Sequence, residues 1–444
     1  MSANVDVIVT NCGALGDGSG RKITAGELSA LHPIGQHYQP GIDTVDFVGC
    51  QEGIYRAFGP PHNENGAAYR RNKRLKFPGG DYVLNRPLEL RYVQGGTIEG
   101  DGEFATTLTG TNKSGGEGGA SVLYVNGMSY SGISEMQLRQ APGTGAPGGA
   151  LVTLDYDGTS PPSGWHAEMQ GNVFRRLYFS GEGYDNRASG VYAYGHYRMG
   201  SENLWQACSF IWFDYGYYGD RSFNSLQNCF QGGNFANYRK RAILQRAGSI
   251  ACISVGFQCG DLGTQLTGAD GPVDIELQNS AGDVSFFTYC RSESARFLRA
   301  ANYHKAVVTA CNVLPGLNRW RAGVTQRANS VIMGTHAKGI GCIYIAEKEG
   351  TTGTVEPDWA KVDRRVTDGT VTWRQSDHNV IDGGFTDVTA SVLTFGRVVA
   401  DYIDRCELSR QDWSASPALR DGGHNRVWLN GHQNDARSAP KMGP

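Results

Sequence analysis

Seven candidate carboxylates fall within one stretch of the 444-residue chain: Asp155, Asp157, Glu182, Asp185, Glu202, Asp214 and Asp220. Asp155 and Asp157 stand two apart, so an extended backbone puts both on one face, where two like charges raise the proton affinity of one of them. A carboxyl held protonated near one held ionised is the pairing that hydrolyses a glycosidic bond, with close placement for retention or about 6.5–9.5 Å for inversion. The same stretch offers a second chemistry in His196, Tyr197 and Arg198, next to Tyr194. A base, an acid and a cationic clamp in one short run suit proton abstraction beside a carboxylate, which is what β-elimination requires. Trp165-His166 and Asp185-Asn186-Arg187 offer similar combinations.

Ten aromatic residues lie between positions 191 and 219: Tyr192, Tyr194, Tyr197, Trp205, Phe210, Trp212, Phe213, Tyr215, Tyr217 and Tyr218. Rings stack on the apolar face of a sugar and tyrosine hydroxyls bond its hydroxyls. The candidate binding set is therefore Trp165, His166, Arg187, Tyr192, Tyr194, Trp205, Trp212, Tyr215, Tyr217 and Arg221. A structural reading competes with each of these. Alternate strand residues point inward, so about half of the rings face a core whatever the function. A single Asp or Glu is also a common turn or cap residue, and a His-Tyr-Arg run is a common surface loop.

Composition narrows the alternatives. Glycine is 62 of 444 residues, about twice the usual share, which calls for many tight turns. The net charge of −2 gives no basic face for phosphate, so nucleic acid is not an expected partner. No apolar run is long enough to span a bilayer, and Met1-Ser2-Ala3-Asn4-Val5-Asp6 has neither the basic nor the apolar part of a signal peptide, so no membrane partner is expected. Phosphate-loop, zinc-helix and nucleophile-elbow motifs are missing. No cofactor is expected, with a calcium ion left open.

The elements that must position these residues are short β runs. Polar-then-aliphatic entries recur at Asn172-Val173, Asn203-Leu204, Asn224-Ser225-Leu226, Ser249-Ile250, Asp283-Val284, Lys305-Ala306-Val307, Ser330-Val331, Asn379-Val380, Asp401-Tyr402 and Asn425-Arg426-Val427, with a floor of 21 to 25 residues between them. A fixed minimum with occasional excess is the signature of a solenoid, whose coils share a perimeter and whose insertions leave as loops. The longest interval contains residues 347–375, where Val366-Thr367-Asp368-Gly369-Thr370-Val371 predicts a hairpin with an Asp-Gly turn. Cys208 and Cys229 are 21 apart, as are Cys290 and Cys311. Both pairs are expected to stack, reduced, as small hydrophobes on successive coils. The ten cysteines include no C-x-x-C pair. Ahead of the coils, Ala25–Leu31 predicts a short helix, and Phe47, Gln51, Ile54 and Phe58 form one face of another, suited to capping the open end of a solenoid.

Three stretches resemble the right-handed parallel β-helix superfamily, specifically the pectate-lyase-like group of phage tailspikes and polysaccharide-degrading enzymes. They are Thr10-Asn11-Cys12-Gly13-Ala14-Leu15-Gly16-Asp17-Gly18, then Phe77-Pro78-Gly79-Gly80-Asp81-Tyr82-Val83-Leu84 with Pro87-Leu88-Glu89-Leu90, and Gly95-Gly96-Thr97-Ile98-Glu99-Gly100-Asp101-Gly102 with Thr107-Leu108. The match covers the first 110 residues, and Gly350 to Trp373 resembles a small β module of phage tail proteins. The Asn-Thr-Asp, Asp-Asp, Gly-His-Gly and Arg-Ile-Lys signatures of polygalacturonases are not present, so their catalytic roles do not transfer.

The expected architecture is all-β: a right-handed parallel β-helix with an N-terminal helical cap and a small β insert. Its boundaries are 1–64 for the N-terminal segment and cap, 65–341 for the β-helix, 342–377 for the insert, 378–432 for the last coils and 433–444 for the tail. The resemblance implies a glycosidase or polysaccharide lyase, of tailspike-like depolymerase type, extracellular or virion-associated, with a bacterial or plant polysaccharide as partner and a homotrimer as assembly. A non-catalytic glycan-binding or virion structural protein is the alternative, and an epimerase or transglycosylase would share the same site.

Overall fold

The computed structural model describes residues 6–35, 37–59, 73–112, 119–155, 169–183, 186–194, 200–220, 226–259, 272–278, 284–292, 297–300, 305–309, 311–313, 318–328, 331–333, 343–359 and 365–375, and beyond 375 only the strand backbone between Gly383 and Asp435. Each full coil gives one strand to a ten-stranded parallel sheet and two short strands to a long 21-stranded one. Ser189–Ala193, Leu204–Gln206 and Ser209–Ile211 make one coil, and Tyr215–Gly219, Asn228–Gln231 and Asn234–Ala236 make the next. Each strand pairs in parallel with its counterpart one coil on, as in Val191↔Tyr217, Trp205↔Phe230 and Phe210↔Phe235. This is the expected parallel β-helix.

The glycine content finds its use at the corners. A left-handed residue recurs where the two short strands meet (Glu135, Arg176, Ala207, Gly232, Ser254, Tyr289) and where the first of them begins (Gly95, Tyr130, Gly171, Glu202, Gln227). One residue with positive φ breaks the extended run and turns the chain through a corner in minimal length. Packing adds a second demand at some positions. A Cβ on Gly233 would lie 2.0 Å from the Cys208 carbonyl oxygen of the neighbouring coil.

Polar groups at the corner are satisfied from within. The Ser131 backbone N–H donates to Asn172 Oδ1 (3.1 Å), that of Asn172 to Asn203 Oδ1 (3.1 Å), and that of Asn203 to Asn228 Oδ1 (3.0 Å). Each asparagine Nδ2 in turn donates to a backbone carbonyl, of Met128, Met169 or Gly200. The side chain thus completes hydrogen bonds that a buried corner would otherwise leave unmade. The entries at Asn172 and Asn203 sit in this ladder. The third rung is Asn228 and not Asn224, which lies outside the described residues.

Inside, rings form two columns. Phe174, Trp205 and Phe230 stack at 4.0 and 5.6 Å, and Phe179, Phe210, Phe235 and Phe257 at 4.4, 4.5 and 5.6 Å. In-register parallel strands repeat about every 4.8 Å, close to an aromatic stacking distance, so like residues at one coil position pack without rearrangement.

Register corrects one cysteine pair and bears out the other. Cys229 pairs with Leu204, because Trp205 pairs with Phe230, so it does not stack on Cys208. Thr288↔Thr309 and Arg291↔Asn312 bracket Cys290 and Cys311, and these two thiols do touch.

The cap is built as expected. Helix α1 (Ala25–Ala30) begins with a capping box of Thr24 and Glu27, and α2 (Val45–Phe58) is capped by Thr44 and buries Phe47, Val48, Ile54 and Phe58. Gln51, polar within the apolar stripe, donates to the Glu89 carbonyl and accepts from its N–H, completing a strand edge with a side chain. Asp46 accepts from the N–H groups of Leu15, Gly16 and Val83, tying the helix to the opening turn and the first coil.

The insert is a five-stranded sheet with its own core of Ile332, Tyr344, Trp359, Val371 and Trp373. It includes Asn318–Arg319 and Val331–Met333, so it begins before residue 342, and Val331, read as a coil entry, belongs to it and not to a coil. In its hairpin Asp368 pairs with Val371, so the two turn residues are Gly369 (φ 61°) and Thr370. The coils resume in register with Val308↔Leu393.

Candidate functional site

The outer face of the ten-stranded sheet gathers the candidate chemistry into two columns. Register carries one through Glu89, Tyr124, Thr153, Tyr192, Tyr218, Leu244 and Glu276. The neighbouring column runs Arg91, Asn126, Asp155 and, by the backbone bonds Tyr194 N–H to Leu154 O, Asp220 N–H to Ala193 O and Arg246 N–H to Gly219 O, on to Tyr194, Asp220 and Arg246. Alternation places both columns outward while Val152, Val191, Tyr217 and Ile243 face the core.

Asp155 and Asp220 are therefore two coils apart with Tyr194 between them. At about 4.8 Å per coil this is close to 10 Å along the backbone, just beyond the upper end of the roughly 6.5–9.5 Å that accommodates a water between two carboxyl groups. Each acid is held by a tyrosine hydroxyl: Tyr124 Oη donates to Asp155 Oδ2, and Tyr192 Oη donates to Asp220 Oδ2 at 2.9 Å. Asp155 is buried and Asp220 half-buried, with Arg246 at 3.4 Å from the latter. Around them Tyr192, Tyr194, Tyr215 and Tyr218 form one ring cluster, with centroids 4.9 to 5.9 Å apart. Cations cover its edges: Arg246 lies 5.0 Å over Tyr218 and Lys240 5.2 Å over Tyr215. The strip thus combines two carboxylates, hydroxyls, stacked rings and guanidinium groups along one rigid sheet face, with Asn126, Asp155 and Tyr192 buried and Tyr194, Tyr215, Tyr218 and Asp220 half-buried.

The other sequence candidates separate. Glu182 occupies a left-handed corner after Val173–Ser180, 3.9 Å from Arg139. Glu202 sits at an exposed corner and accepts from Gln170 Nε2. Asp214 is buried and ion-paired with Lys240 (2.9 Å) and Arg239 (3.5 Å). Trp205 and Tyr217 are core residues, Trp212 is a half-buried corner residue, and Arg187 is exposed ahead of Ser189–Ala193. Asp157, Trp165, His166, Asp185, His196, Tyr197, Arg198 and Arg221 lie outside the described residues. Tyr124, Asn126, Arg91 and Arg246, which complete the strip, were not among the candidates. Projecting the coil repeat back from Asp155 into the 120s is the signal that reaches Tyr124 and Asn126. Among the described residues no three His, Cys, Asp or Glu side chains converge as metal ligands, and no helix is long and apolar enough to cross a membrane.

No protein-family model matches the chain, and no curated protein matches it. Solved structures do. The Geobacillus virus E2 ORF18 protein is 13% identical with a TM-score of 0.42, covering 96% of this chain and 61% of its own. The gp42 tailspike of an Acinetobacter phage is 10% identical with a TM-score of 0.48, covering 99% and 66%. The Agl-KA catalytic domain is 12% identical with a TM-score of 0.45, covering 97% and 65%. The chain spans less than two thirds of the length of each of these three.

Proposed function

We propose that this protein binds a polysaccharide along the outer face of the ten-stranded sheet and hydrolyses it with Asp155 and Asp220. The observation that carries the reading is the placement of these two acids in one outward column, each oriented by a tyrosine and both bordered by the tyrosine cluster. A sugar chain lying along the column stacks on Tyr194 and Tyr218, and its glycosidic oxygen falls between the two carboxyl groups. In such a pair one carboxyl protonates the leaving oxygen while the other activates a water on the opposite face of the sugar. The lyase reading depends on His196, Tyr197 and Arg198, which lie outside the described residues, and the hydrolase reading is carried by the placement of Asp155 and Asp220.

The setting we propose is extracellular or virion-associated, with the chain assembled as a homotrimer. An outward apolar column runs through Val173, Leu204, Cys229, Ala251, Phe286 and Val307 on six successive coils, with Val173 39% and Phe286 51% exposed. A copy of the same chain offers a column of matching length and spacing, and burying both removes the exposed stripe from water.

The test is a panel of acidic and neutral polysaccharides assayed for new reducing ends and for the ultraviolet absorbance of an unsaturated uronate. Reducing ends without that absorbance, lost about 10²–10⁴-fold in Asp155→Asn and Asp220→Asn, are expected. Absorbance accompanying the reducing ends establishes elimination instead. Binding that survives both substitutions, with no cleavage of any polymer by the wild type, favours the non-catalytic glycan binder.

A further inference from the structure

The solenoid register distinguishes two cysteine pairs that look alike in sequence. Cys290 and Cys311 follow the same corner on adjacent coils, between Thr288↔Thr309 on one side and Arg291↔Asn312 on the other. Stacked positions in parallel coils lie about 4.8 Å apart, inside the Cα window of about 4.4–6.8 Å that a disulfide spans. The two thiols hydrogen-bond each other, Cys290 Sγ also reaches the Cys252 carbonyl at 3.4 Å, and Cys311 Sγ reaches the Phe287 carbonyl at 3.5 Å. Cys290 is fully buried, whereas Cys311 is half-buried.

We infer that Cys290 and Cys311 are an oxidisable pair that closes into an inter-coil disulfide, fastening the two coils from which the insert departs. This inference does not rest on the polysaccharide reading. The reaction is thiol–disulfide exchange with a small disulfide such as oxidised glutathione. The Cys311 thiolate, the accessible one, attacks a glutathione sulfur and expels one glutathione thiolate. Cys290 then gives up its proton and attacks Cys311 Sγ, expelling the second. Two cysteine thiols are oxidised, one glutathione disulfide is reduced, and the two thiol protons leave with the two glutathiones. Contact with Cys311, then burial, hold the Cys290 thiol far above its ordinary pKa, so the half-buried Cys311 is the thiol that meets the small disulfide first, and Cys290 reacts only because Cys311 Sγ is already held against it.

The position gives the bond a role. Lys305–Thr309 is followed in its sheet by Val392–Thr394, and the five-stranded sheet intervenes in the chain. A covalent tie just ahead of that interruption stops the coils from parting where continuity along the chain is lost. Outside the cell, where disulfides persist, the tie is closed; in a reducing interior it is open.

The experiment incubates the full-length chain with oxidised glutathione, blocks the remaining thiols and maps its peptides by mass. A Cys290–Cys311 cross-link reversed by dithiothreitol is expected, with Cys208 and Cys229 still blocked as free thiols, and the oxidised form melting several degrees higher. Cys311→Ser should abolish the cross-link and Cys229→Ser should keep it. A glutathione adduct that persists on Cys311, or both thiols alkylated in protein with native circular dichroism, overturns the inference. So does a cross-link from Cys290 to any other cysteine.

Discussion

Two aromatic regions built largely from one stretch of chain face opposite ways. On the inside, Trp205 and Phe210 join columns of stacked rings. On the outer face of the sheet, the buried Tyr192 and the half-buried Tyr194, Tyr215 and Tyr218 cluster around Asp220 and Arg246. Residue type largely follows the division: the stacked inner columns are phenylalanine and tryptophan and the outer cluster is tyrosine throughout, with Tyr217 the tyrosine of this stretch that packs inside against Trp205 and Phe230. An inner ring needs only area and shape, while an outer ring also carries a hydroxyl for a carboxylate or a sugar. A dense aromatic stretch is thus two populations, one turned to the core and one to the outer face of the sheet, and only the second can touch a ligand.

The largest separation between the two is expected in stability. Trp205→Ala empties a site flanked by Phe174 and Phe230, and large-to-small aromatic changes in a core cost about 3–5 kcal/mol. Urea unfolding should show that loss. Tyr218→Ala, on the outer face, should cost far less stability, and its effect should appear in polysaccharide affinity, at roughly 1 kcal/mol for one lost ring. Equal stability losses for the two variants would break the comparison, and an unchanged affinity in Tyr218→Ala would remove the outer cluster from the binding face.

The fold was legible because a solenoid repeats its constraints. Asn172 and Asn203 were visible as coil entries since a buried corner needs an amide side chain, and the motifs around Gly16, Gly79 and Gly96 gave the first coils. Register was not legible. Asn224 and Asn228 differ by four positions and not at all in type, so sequence alone could not say which one completes the ladder. The same blindness made Cys208 and Cys229 look equivalent to Cys290 and Cys311, although variable coil length aligns only the second pair. At the site, Asp155 and Asp220 were found by residue type among seven acids, but their selection came from sharing a column. Tyr124, which holds Asp155, lies outside the stretch that carries those acids, because coil neighbours are far apart in sequence.

The smallest expected effect is in acid, and it too divides inside from outside. The stacked rings of the inner columns have nothing to titrate between pH 3 and 7, by roughly the reference values for ionisable side chains, so they lend no pH dependence. The outer column ends differently, at Glu276, which is bonded by Arg241, accepts from Gln278 at 2.6 Å and lies 3.9 Å from Arg299. Burial pushes the Glu276 carboxyl up, but the Arg241 guanidinium, both hydrogen bonds and Arg299 pull it down further, leaving it below its ordinary value. With a lowered pKa in the folded chain, the unfolded state binds the proton first as pH falls. The stabilisation is therefore complete above the unfolded value of about 4.3 and is lost as pH drops through the folded pKa. Removing both charges together, as in Glu276→Gln with Arg241→Met, avoids stranding a buried guanidinium and should leave stability at pH 7 near that of the wild type. The double variant should then lose less stability than the wild type between pH 5 and pH 3 in parallel urea titrations. An identical acid slope in the two proteins would place the acid sensitivity elsewhere on the molecule and leave Glu276 a packing residue.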